Sequence, residues 1–482
     1  MMARLSPLLM ALSDPFARQA TFHWFVVAVV GLLVRLDQHG VSSSIRWLRI
    51  RPDAYESFLA FFRSKGLKLR ELLQDWQLLV AARSARRTSA GALVLLGDGI
   101  KVAKEAERMP GVKKLHQESD NSGKAPWIVG HHFGVVGMLL GTGEKSFCVP
   151  VAGELHEGAP ALRKLQCKEA PTVAEVEKTT VVTLMGHLVT TVVGNLGERC
   201  LAVLDAYFSV GDTFQIAKAA QGPDGQRRLH ILTRAKGNVV AYEDVPTQYS
   251  GRGRPRTHGR KVALKKLFTA RSEAFEPVTV TLYNEVKTVR TLCLDLLWKP
   301  IGEKLRFVLV KDKTETPFIL MCSDLTLCPA EIVEFYANRF KIEVTFKTLK
   351  HLIGGFAYHF WTGAWRDEDG RSLSLEQLAD MPERAQRLIA EAMNAIEVFV
   401  NIALIATGML QLLAIDCTEE IRKRHRWWLR TYSSDVPSEE MVKTVLQHEF
   451  YHHFRDFKHT PIYRIIRGKA AQTQADSVRL AA

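Results

Sequence analysis

Paired cysteines are missing from this sequence. The chain of 482 residues has seven Cys, and no two of them form a Cys-x-x-Cys pair. They are Cys148, Cys167, Cys200, Cys293, Cys322, Cys328 and Cys417. A zinc module or a disulfide-stabilised secreted fold needs clustered cysteines. Their scatter argues against both classes and fits a reducing cytosol.

Acidic residues are fewer than basic ones. Asp and Glu number 51 against 65 Lys and Arg, so the formal net charge is +14 and the pI is near 9.4. Such a chain favours a polyanionic partner, with nucleic acid first and an anionic membrane surface second. A hydrophobic content of 47% with 24% charged residues is typical of globular proteins. At this length we expect two to four domains.

Neither a signal peptide nor an uninterrupted membrane span is evident. Charged residues interrupt the first apolar runs, and Phe25–Val34 is too short to cross a bilayer. The run from Ala395 to Ile415 is long enough, but it contains Glu397 and Asn401. We therefore expect a buried bundle helix there and no membrane association.

Helical periodicity dominates residues 1–90. The predicted helices are Thr21–Leu36, Ser42–Arg49, Asp53–Lys65 and Leu67–Val80. Ala81–Ser89, with three Arg and no acid, indicates a basic linker. The region is either a nucleic-acid-binding module or a helical support that packs on the next domain.

Two short apolar runs each lead into an aspartate. Ala92–Leu96 is followed by Gly and then Asp98, and Cys200–Leu204 is followed directly by Asp205. Short apolar runs predict buried strands, so we expect both acids at strand ends. Two such acids are what a two-metal site on an α/β sheet requires. Asp212 is a rival to Asp205, but its place at a helix start is typical of a capping residue.

One long helix is predicted from Pro329 to the glycine at 354. At about 100° per residue, its apolar side chains share one stripe: Ile332, Phe335, Ile342, Phe346, Leu349 and Ile353. A second, polar stripe is shifted by roughly a fifth of a turn: Tyr336, Arg339, Glu343 and Lys350. Glu343 therefore borders the buried face. The alternative to a site is a solvated edge with helix-spaced ion pairs.

The spacing of this polar stripe resembles a known signature. Tyr, Arg, Glu and Lys separated by two, three and six residues are typical of insertion-sequence transposases of the DDE (integrase-like) superfamily, and all four match here. The chain looks like the insertion-sequence-four-like group, in which a β-rich insertion precedes the catalytic Glu. Many relatives have Trp after the motif Arg; Phe340 stands there, and a Phe can fill the same apolar volume.

The resemblance implies an α/β fold, with a ribonuclease H-like (integrase-like) catalytic core interrupted by a β-rich insertion and helical N-terminal and C-terminal regions. Beyond the two Asp strands, the expected core elements are Trp127–Leu140, Phe147–Leu155, a helix at Thr172–Leu196 and a fifth strand at His230–Thr233. Right-handed crossovers would put Asp98 and Asp205 on neighbouring strands. The expected regions are 1–90 (helical, possible DNA-end binding), 91–245 (first part of the core), 246–325 (basic, β-rich insertion), 326–372 (catalytic helix) and 373–482 (helical, with a basic tail).

The resemblance also implies a catalytic triad of Asp98, Asp205 and Glu343 that holds two Mg²⁺ ions, for which Mn²⁺ would substitute. The implied reaction is metal-dependent cleavage at the element's ends, followed by transfer of the freed 3′-OH into target DNA. The expected partner is double-stranded DNA, at the element ends and at the target. Two ends must be paired, so we expect a homodimer on DNA. The protein would be cytoplasmic, and associated with the nucleoid when bound to DNA.

Several side chains are candidates for DNA contact. Around the triad they are Tyr336, Arg339, Lys350, Arg234 and Lys236. In a stretch of eight Lys or Arg without an acid, from Gly251 to Arg271, Arg252 and Arg254 resemble a minor-groove hook; the alternative is a basic surface turn. In relatives an insertion aromatic can hold a flipped base. Trp298 is the candidate here, against the alternative of a buried sheet Trp.

Other functions stay open at this point. A ribonuclease H-like nuclease or resolvase would use the same triad without strand transfer, and a non-catalytic DNA-binding relic would be expected to have a broken triad. His448, Glu449 and His452 match the zinc-protease pattern, but the expected third ligand does not follow. We attribute that match to chance on a helix surface.

Overall fold

The structure is a computed structural model that describes residues 1–83, 85–104, 109–117, 126–141, 146–156, 180–245, 257–282, 285–312, 316–365, 380–425 and 436–470. Helices come before, within and after a large sheet. They are α1 (Met2–Met10), α2 (Gln19–Val34), α3 (Gly40–Trp47), α4 (Tyr55–Phe61), α5 (Leu69–Ala81), α6 (Val181–Leu196), α7 (Gly211–Ala219), α8 (Leu264–Ala270), α9 (Pro329–Ala337), α10 (Phe340–Lys347), α11 (Glu383–Asp416), α12 (Thr418–Arg424), α13 (Glu439–His453) and α14 (Pro461–Lys469). A π-helix, Thr348–Ile353, follows α10.

One mixed sheet of 12 strands runs through the protein. Its strands are β1 (Leu93–Ala103), β2 (Lys113–His116), β3 (Trp127–Leu140), β4 (Phe147–Leu155), β5 (Cys200–Leu204), β6 (Leu229–Arg234), β7 (Val240–Tyr242), β8 (Lys261–Ala263), β9 (Glu276–Leu282), β10 (Glu285–Trp298), β11 (Glu303–Lys311) and β12 (Phe318–Cys322). The order is β2-β3-β1-β5-β6-β12-β11-β10-β7-β8, with β4 on β3 and β9 on β10.

The strands predicted around the two aspartates are present and paired as expected. β5 lies parallel to β1 and to β6, while β3 and β4 are antiparallel neighbours on the other side of β1. Helix α6 connects the two halves, and Thr180 caps it because its hydroxyl accepts the Thr183 backbone N–H. The part of the predicted helix before residue 180 lies outside the described residues.

The strands of the predicted insertion join the same sheet. β12 pairs with β6, and β11 and β10 continue the order from there. Strands were expected in Glu276–Leu320, but their direct addition to the β6 edge was not. Backbone pairing satisfies the edge of β6, which would otherwise be an open template for other strands. The boundaries assigned to the separate regions stay a prediction.

Polar side chains from two helices cover the edge of β4. Asn401 of α11 accepts a hydrogen bond from the Gly153 N–H at 3.0 Å and donates to the Gly153 carbonyl at 2.8 Å. From α5, the Trp76 indole N–H donates to the Pro150 carbonyl at 2.9 Å. Both helices therefore substitute for a missing neighbouring strand. The N-terminal helices thus pack on the sheet, as in the support alternative, while a role in DNA-end binding stays a prediction.

Helix α11 is long and apolar enough to cross a membrane, but 94% of its most apolar window is buried inside the protein. It packs against β4, α2 and α13. The two polar residues noted in its apolar run, Glu397 and Asn401, are buried with it. The prediction of a buried bundle helix is therefore confirmed, since a core helix meets the same criteria of length and composition.

The predicted basic linker at residues 81–89 is not a free connection. Ala85 forms a bridge with Leu140, and the Arg86 N–H donates to the Leu139 carbonyl at 2.8 Å. Arg87 pairs with Leu93 and its guanidinium binds Glu198 at 2.7 Å. The chain thus enters β1 along the sheet. The linker prediction was wrong because charge pattern alone does not reveal backbone pairing.

Candidate active site

Asp98 and Asp205 lie side by side on neighbouring strands. The last parallel pair between β1 and β5 is Gly97 with Leu204, and each aspartate is the next residue. Asp205 follows the end of β5, as predicted. Asp98 does not end a strand, because β1 continues to Ala103 and pairs with β3 throughout. The continuation of β1 depends on its pairing with β3, and the apolar run before Asp98 carries no information about that pairing.

Two glycines next to Asp98 allow close packing on the opposite face of β1. A Cβ at Gly97 would lie 2.8 Å from Met185 Sδ of α6, and one at Gly99 would lie 2.5 Å from His132 Nε2. Side chains alternate along a strand, so Asp98 points the other way. Any larger residue at these two positions would require Leu204, Met185 or His132 to shift.

The helix that was predicted to run from Pro329 to Gly354 is interrupted just before the segment that carries Glu343. α9 ends at Ala337, and α10 begins at Phe340. Between them, the Arg339 N–H bonds to the Tyr336 carbonyl at 3.0 Å and the Ile342 N–H to the Arg339 carbonyl at 3.1 Å. These three-residue spacings tighten the helix locally. The apolar stripe is nevertheless buried as predicted, because both segments pack on the same core.

Arg339 joins two of the proposed catalytic acids. Its Nη1 lies 3.3 Å from Asp98 Oδ2, and its Nη2 lies 2.5 Å from Glu343 Oε1. The sequence predicted that Arg339 contacts a phosphate. In this structure the guanidinium instead bridges carboxylates from β1 and α10. Such charge-assisted bonds are stronger and shorter than neutral ones, so Arg339 holds the helix against the strand.

The carboxyl group of Asp98 is the most perturbed acid of the site. Burial raises its pKa from 3.8 to about 6, because the charged form loses hydration. The negative charges of Asp205 and Glu343 also raise the pKa. The Gly99 N–H, which donates to Oδ1 at 2.7 Å, and Arg339 oppose the shift. The charges of the other two acids therefore act on Asp98.

Tyr336 and Arg234 lie in the same neighbourhood. Burial raises the pKa of the Tyr336 phenol to about 12, and the charges of Arg339, Asp205 and Arg234 also act on it. Arg234 is the last residue of β6, and its guanidinium lies 5.4 Å from the ring centroid of Phe318. Lys236 is exposed in the turn that follows. The candidates around β6 are thus placed next to the acids or exposed nearby.

Other predicted DNA contacts are not part of this cluster. Lys350 is exposed on the π-helix that follows α10. Trp298 is only 6% exposed and packs edge-on against Phe214, with ring centroids 5.2 Å apart. The alternative of a buried sheet Trp is therefore confirmed for the protein without DNA, and the base-holding role stays a prediction. Arg252 and Arg254 lie outside the described residues.

Two residues that anchor α10 were not predicted from the sequence. Thr345 is buried, and its hydroxyl donates to the Cys148 carbonyl of β4 at 2.7 Å. Gln411 of α11 donates to the Thr345 hydroxyl at 3.3 Å and to Glu439 at 3.1 Å. A polar residue two positions after Glu343 on the buried side was the available signal. These bonds fix the rotation of α10 about its axis.

The residue types at the site fit a hard divalent cation. Mg²⁺ prefers carboxylate oxygens, which Asp98, Asp205 and Glu343 offer. Within the described parts of the chain, no three His, Cys, Asp or Glu lie close enough together to form a ligand cluster. Arg339 supplies the positive charge that balances Asp98 and Glu343 in this structure.

The zinc-protease pattern at residues 448–452 does not form a metal site. Glu449 is buried and accepts a hydrogen bond from Arg424. The described residues supply no third ligand near the two histidines. His448 and His452 are exposed, but the burial of Glu449 does not fit the helix surface expected from the sequence. The attribution of the match to chance stays an interpretation.

Comparison with known protein families gives one match that covers more than half of the chain. The family described as DDE superfamily endonuclease matches residues 11–291. The matched range includes both aspartates of the site, whereas Glu343 follows it. Comparison with curated proteins gives no match.

Proposed function

Since the chain belongs to the DDE superfamily endonuclease family, we propose that it is an insertion-sequence transposase that cleaves DNA at the element's ends and transfers the 3′-OH into target DNA. The Tyr-Arg-Glu-Lys spacing supports the insertion-sequence-four-like group. The strand order β4-β3-β1-β5-β6, with the last three strands parallel, supports a ribonuclease H-like core.

One observation carries the proposal. Arg339 bridges Asp98 and Glu343, which come from distant parts of the chain, and the charge of Asp205, next to the end of β5, acts on Asp98. A purely structural cluster would not need three acids around one arginine, because like charges destabilise one another. A buried carboxyl group perturbed as Asp98 is, by neighbouring charges as well as by burial, is typical of a functional site.

We assign the holding of two Mg²⁺ ions, for which Mn²⁺ substitutes, to Asp98, Asp205 and Glu343. When bound, such ions activate the attacking water and stabilise the leaving 3′ oxygen. With a pKa of about 6, Asp98 is mostly ionised at neutral pH and would supply carboxylate oxygen to such an ion. Arg339 keeps Asp98 and Glu343 on the same side of the sheet.

The remaining polar groups serve the phosphate backbone. Tyr336, with a pKa of about 12, keeps its phenolic proton at neutral pH, so it donates a hydrogen bond and does not act as a base. We assign further phosphate contacts to Arg234, Lys236 and Lys350, all of which are exposed. A net charge of +14 supports long-range attraction of double-stranded DNA. We further propose a homodimer on paired ends, acting in the cytoplasm on nucleoid DNA, without a membrane.

The test uses a labelled duplex that carries the element's own ends, incubated with Mg²⁺ or Mn²⁺. Glu343→Gln and Asp205→Asn should lower cleavage by about three orders of magnitude or more, because a lost ligand removes water activation. DNA binding, followed by gel shift, should persist.

Asp212→Asn is the matched control, since Asp212 is exposed in the first turn of α7. It should cleave like wild type. Undiminished cleavage by Glu343→Gln would overturn the triad. Cut products without any joined product would identify a nuclease or resolvase instead. DNA binding without any cutting would identify a non-catalytic relic.

A further inference from the structure

The carboxyl-terminal end of the helix that bears Glu343 is held by buried cations. We propose that Arg35, Lys104 and Lys443 form a carbonyl clamp that positions α10, and with it Glu343, for catalysis. The clamp joins the N-terminal helices, the β1 segment and the C-terminal helices to the site. This inference rests on the proposed function, because that function gives Glu343 its role. The contacts themselves do not depend on the proposed function.

Arg35, the residue after α2, makes the central contacts. It is 1% exposed, and its Nη2 donates to the carbonyls of Ile353 at 2.7 Å and Gly354 at 3.0 Å. Its Nη1 donates to the Gly40 carbonyl at 3.0 Å. The guanidinium thus links the entry of α3 to the end of the π-helix.

Two lysines bind carbonyls at this end and in the segment that follows it. Lys443 of α13 is 7% exposed and donates to the Leu352 carbonyl at 2.6 Å. Lys104, which follows β1, is 8% exposed and donates to the carbonyls of Phe356 and of Tyr358, the latter at 3.3 Å. Its Nζ also lies 3.7 Å from the Tyr358 ring centroid.

Helix geometry explains why cations gather there. The last carbonyls of a helix lack intrahelical partners and carry a partial negative charge. The π-helix ends at Gly354, whose φ of +68° reverses the chain direction and leaves these carbonyls pointing into the protein. Buried in this way, they cannot bond to bulk water. Side-chain donors must therefore satisfy them.

The arrangement carries an electrostatic cost. Burial lowers the pKa of both lysines to about 8 and that of Arg35 to about 10, and Arg35 and Lys443 repel each other. Within the described residues, none of the three forms an ion pair with a carboxylate. An apolar cap on this end would avoid the cost of burying charge. The three charged side chains instead fix the positions of the carbonyls that they bind.

Position in the chain connects the clamp to catalysis. Lys104 lies six residues after Asp98 on the segment that continues β1, and the clamped carbonyls begin nine residues after Glu343. Arg339 ties the same strand and helix together at the other end of α10. The two attachments together fix the distance between Asp98 and Glu343. The buried cations cannot contact DNA themselves, so their effect must be indirect.

The experiment compares Lys443→Met and Arg35→Lys with Lys347→Met, a control on the exposed face at the end of α10. Amide hydrogen exchange is followed by mass spectrometry, and cleavage by single-turnover kinetics. Lys443→Met should speed exchange in residues 343–354 by about tenfold or more and lower the maximal cleavage rate by about 10- to 100-fold, since small displacements at a site are costly. The DNA concentration for half-maximal rate should stay within about twofold.

Arg35→Lys keeps the charge but loses the fork, so it should show a smaller change in the same peptides, and Lys347→Met should resemble wild type. Unchanged exchange in residues 343–354 would overturn the clamp. So would faster exchange spread over the whole protein, since that would indicate general support only. If Glu343→Gln cleaves normally, the proposed function fails, while the exchange result still decides whether the clamp holds α10.

Discussion

Replacing Asp98 with Asn should stabilise the metal-free protein while it abolishes cleavage. The folded-state pKa of about 6 lies above the ordinary value of 3.8. Protonated Asp98 therefore stabilises the fold fully below pH 4, and that contribution is lost as the pH rises through 6. Above that pH the wild type keeps a buried charge at a cost, whereas Asn stays neutral.

The magnitude follows from the shift. About two pKa units correspond to about 3 kcal/mol at most, since each unit is worth about 1.4 kcal/mol. Asn also weakens the bond to Arg339, so we expect a net gain of about 1–3 kcal/mol at pH 8. At pH 5 only about half of the shift-derived gain should remain, because the wild type is then largely protonated in the folded state.

Urea unfolding in EDTA at pH 8 and pH 5 measures this gain. Asp212→Asn removes a carboxylate from an exposed helix turn and should change stability by less than about 0.5 kcal/mol at either pH. A gain for Asp98→Asn of equal size at both pH values would refute the reasoning, and so would no gain at pH 8. An equal gain at both pH values would show that burial of the charge is not the cause. No gain at pH 8 would show that the Asp98 carboxylate does not destabilise the fold.

Three further outcomes are expected. Arg339→Met should lower the stability of the metal-free protein by about 3 kcal/mol, because it leaves two acids without their cation; urea unfolding in EDTA checks this, and a neutral result would mean that the bridge adds nothing. Trp298→Ala should cost about 3–5 kcal/mol with unchanged DNA affinity in a gel shift, whereas weaker binding at full stability would support a base contact. Asn401→Leu should cost about 2–4 kcal/mol in urea unfolding, because the N–H and carbonyl of Gly153 lose their partners; unchanged stability would show that water replaces them.

Local patterns account for what the sequence determined. Apolar runs and helical periodicity depend on neighbouring residues, so the strands around both aspartates and the buried stripe from Ile332 to Ile353 were predictable. The spacing of Tyr336, Arg339, Glu343 and Lys350 further indicated a site and its family. Net charge follows from composition alone, so it indicated a polyanionic partner without reference to the folded structure.

Contacts between distant segments were decided only by the tertiary structure. β1 continues past Asp98 because β3 pairs with it, and β12 extends the core sheet because it finds the free edge of β6. Arg339 binds two acids, one of them 241 residues away, so its partner could not be inferred from helix spacing. The clamp at the end of the π-helix likewise joins residues hundreds of positions apart. Backbone edges and buried charges find their partners in space, and one-dimensional periodicity carries no information about that choice.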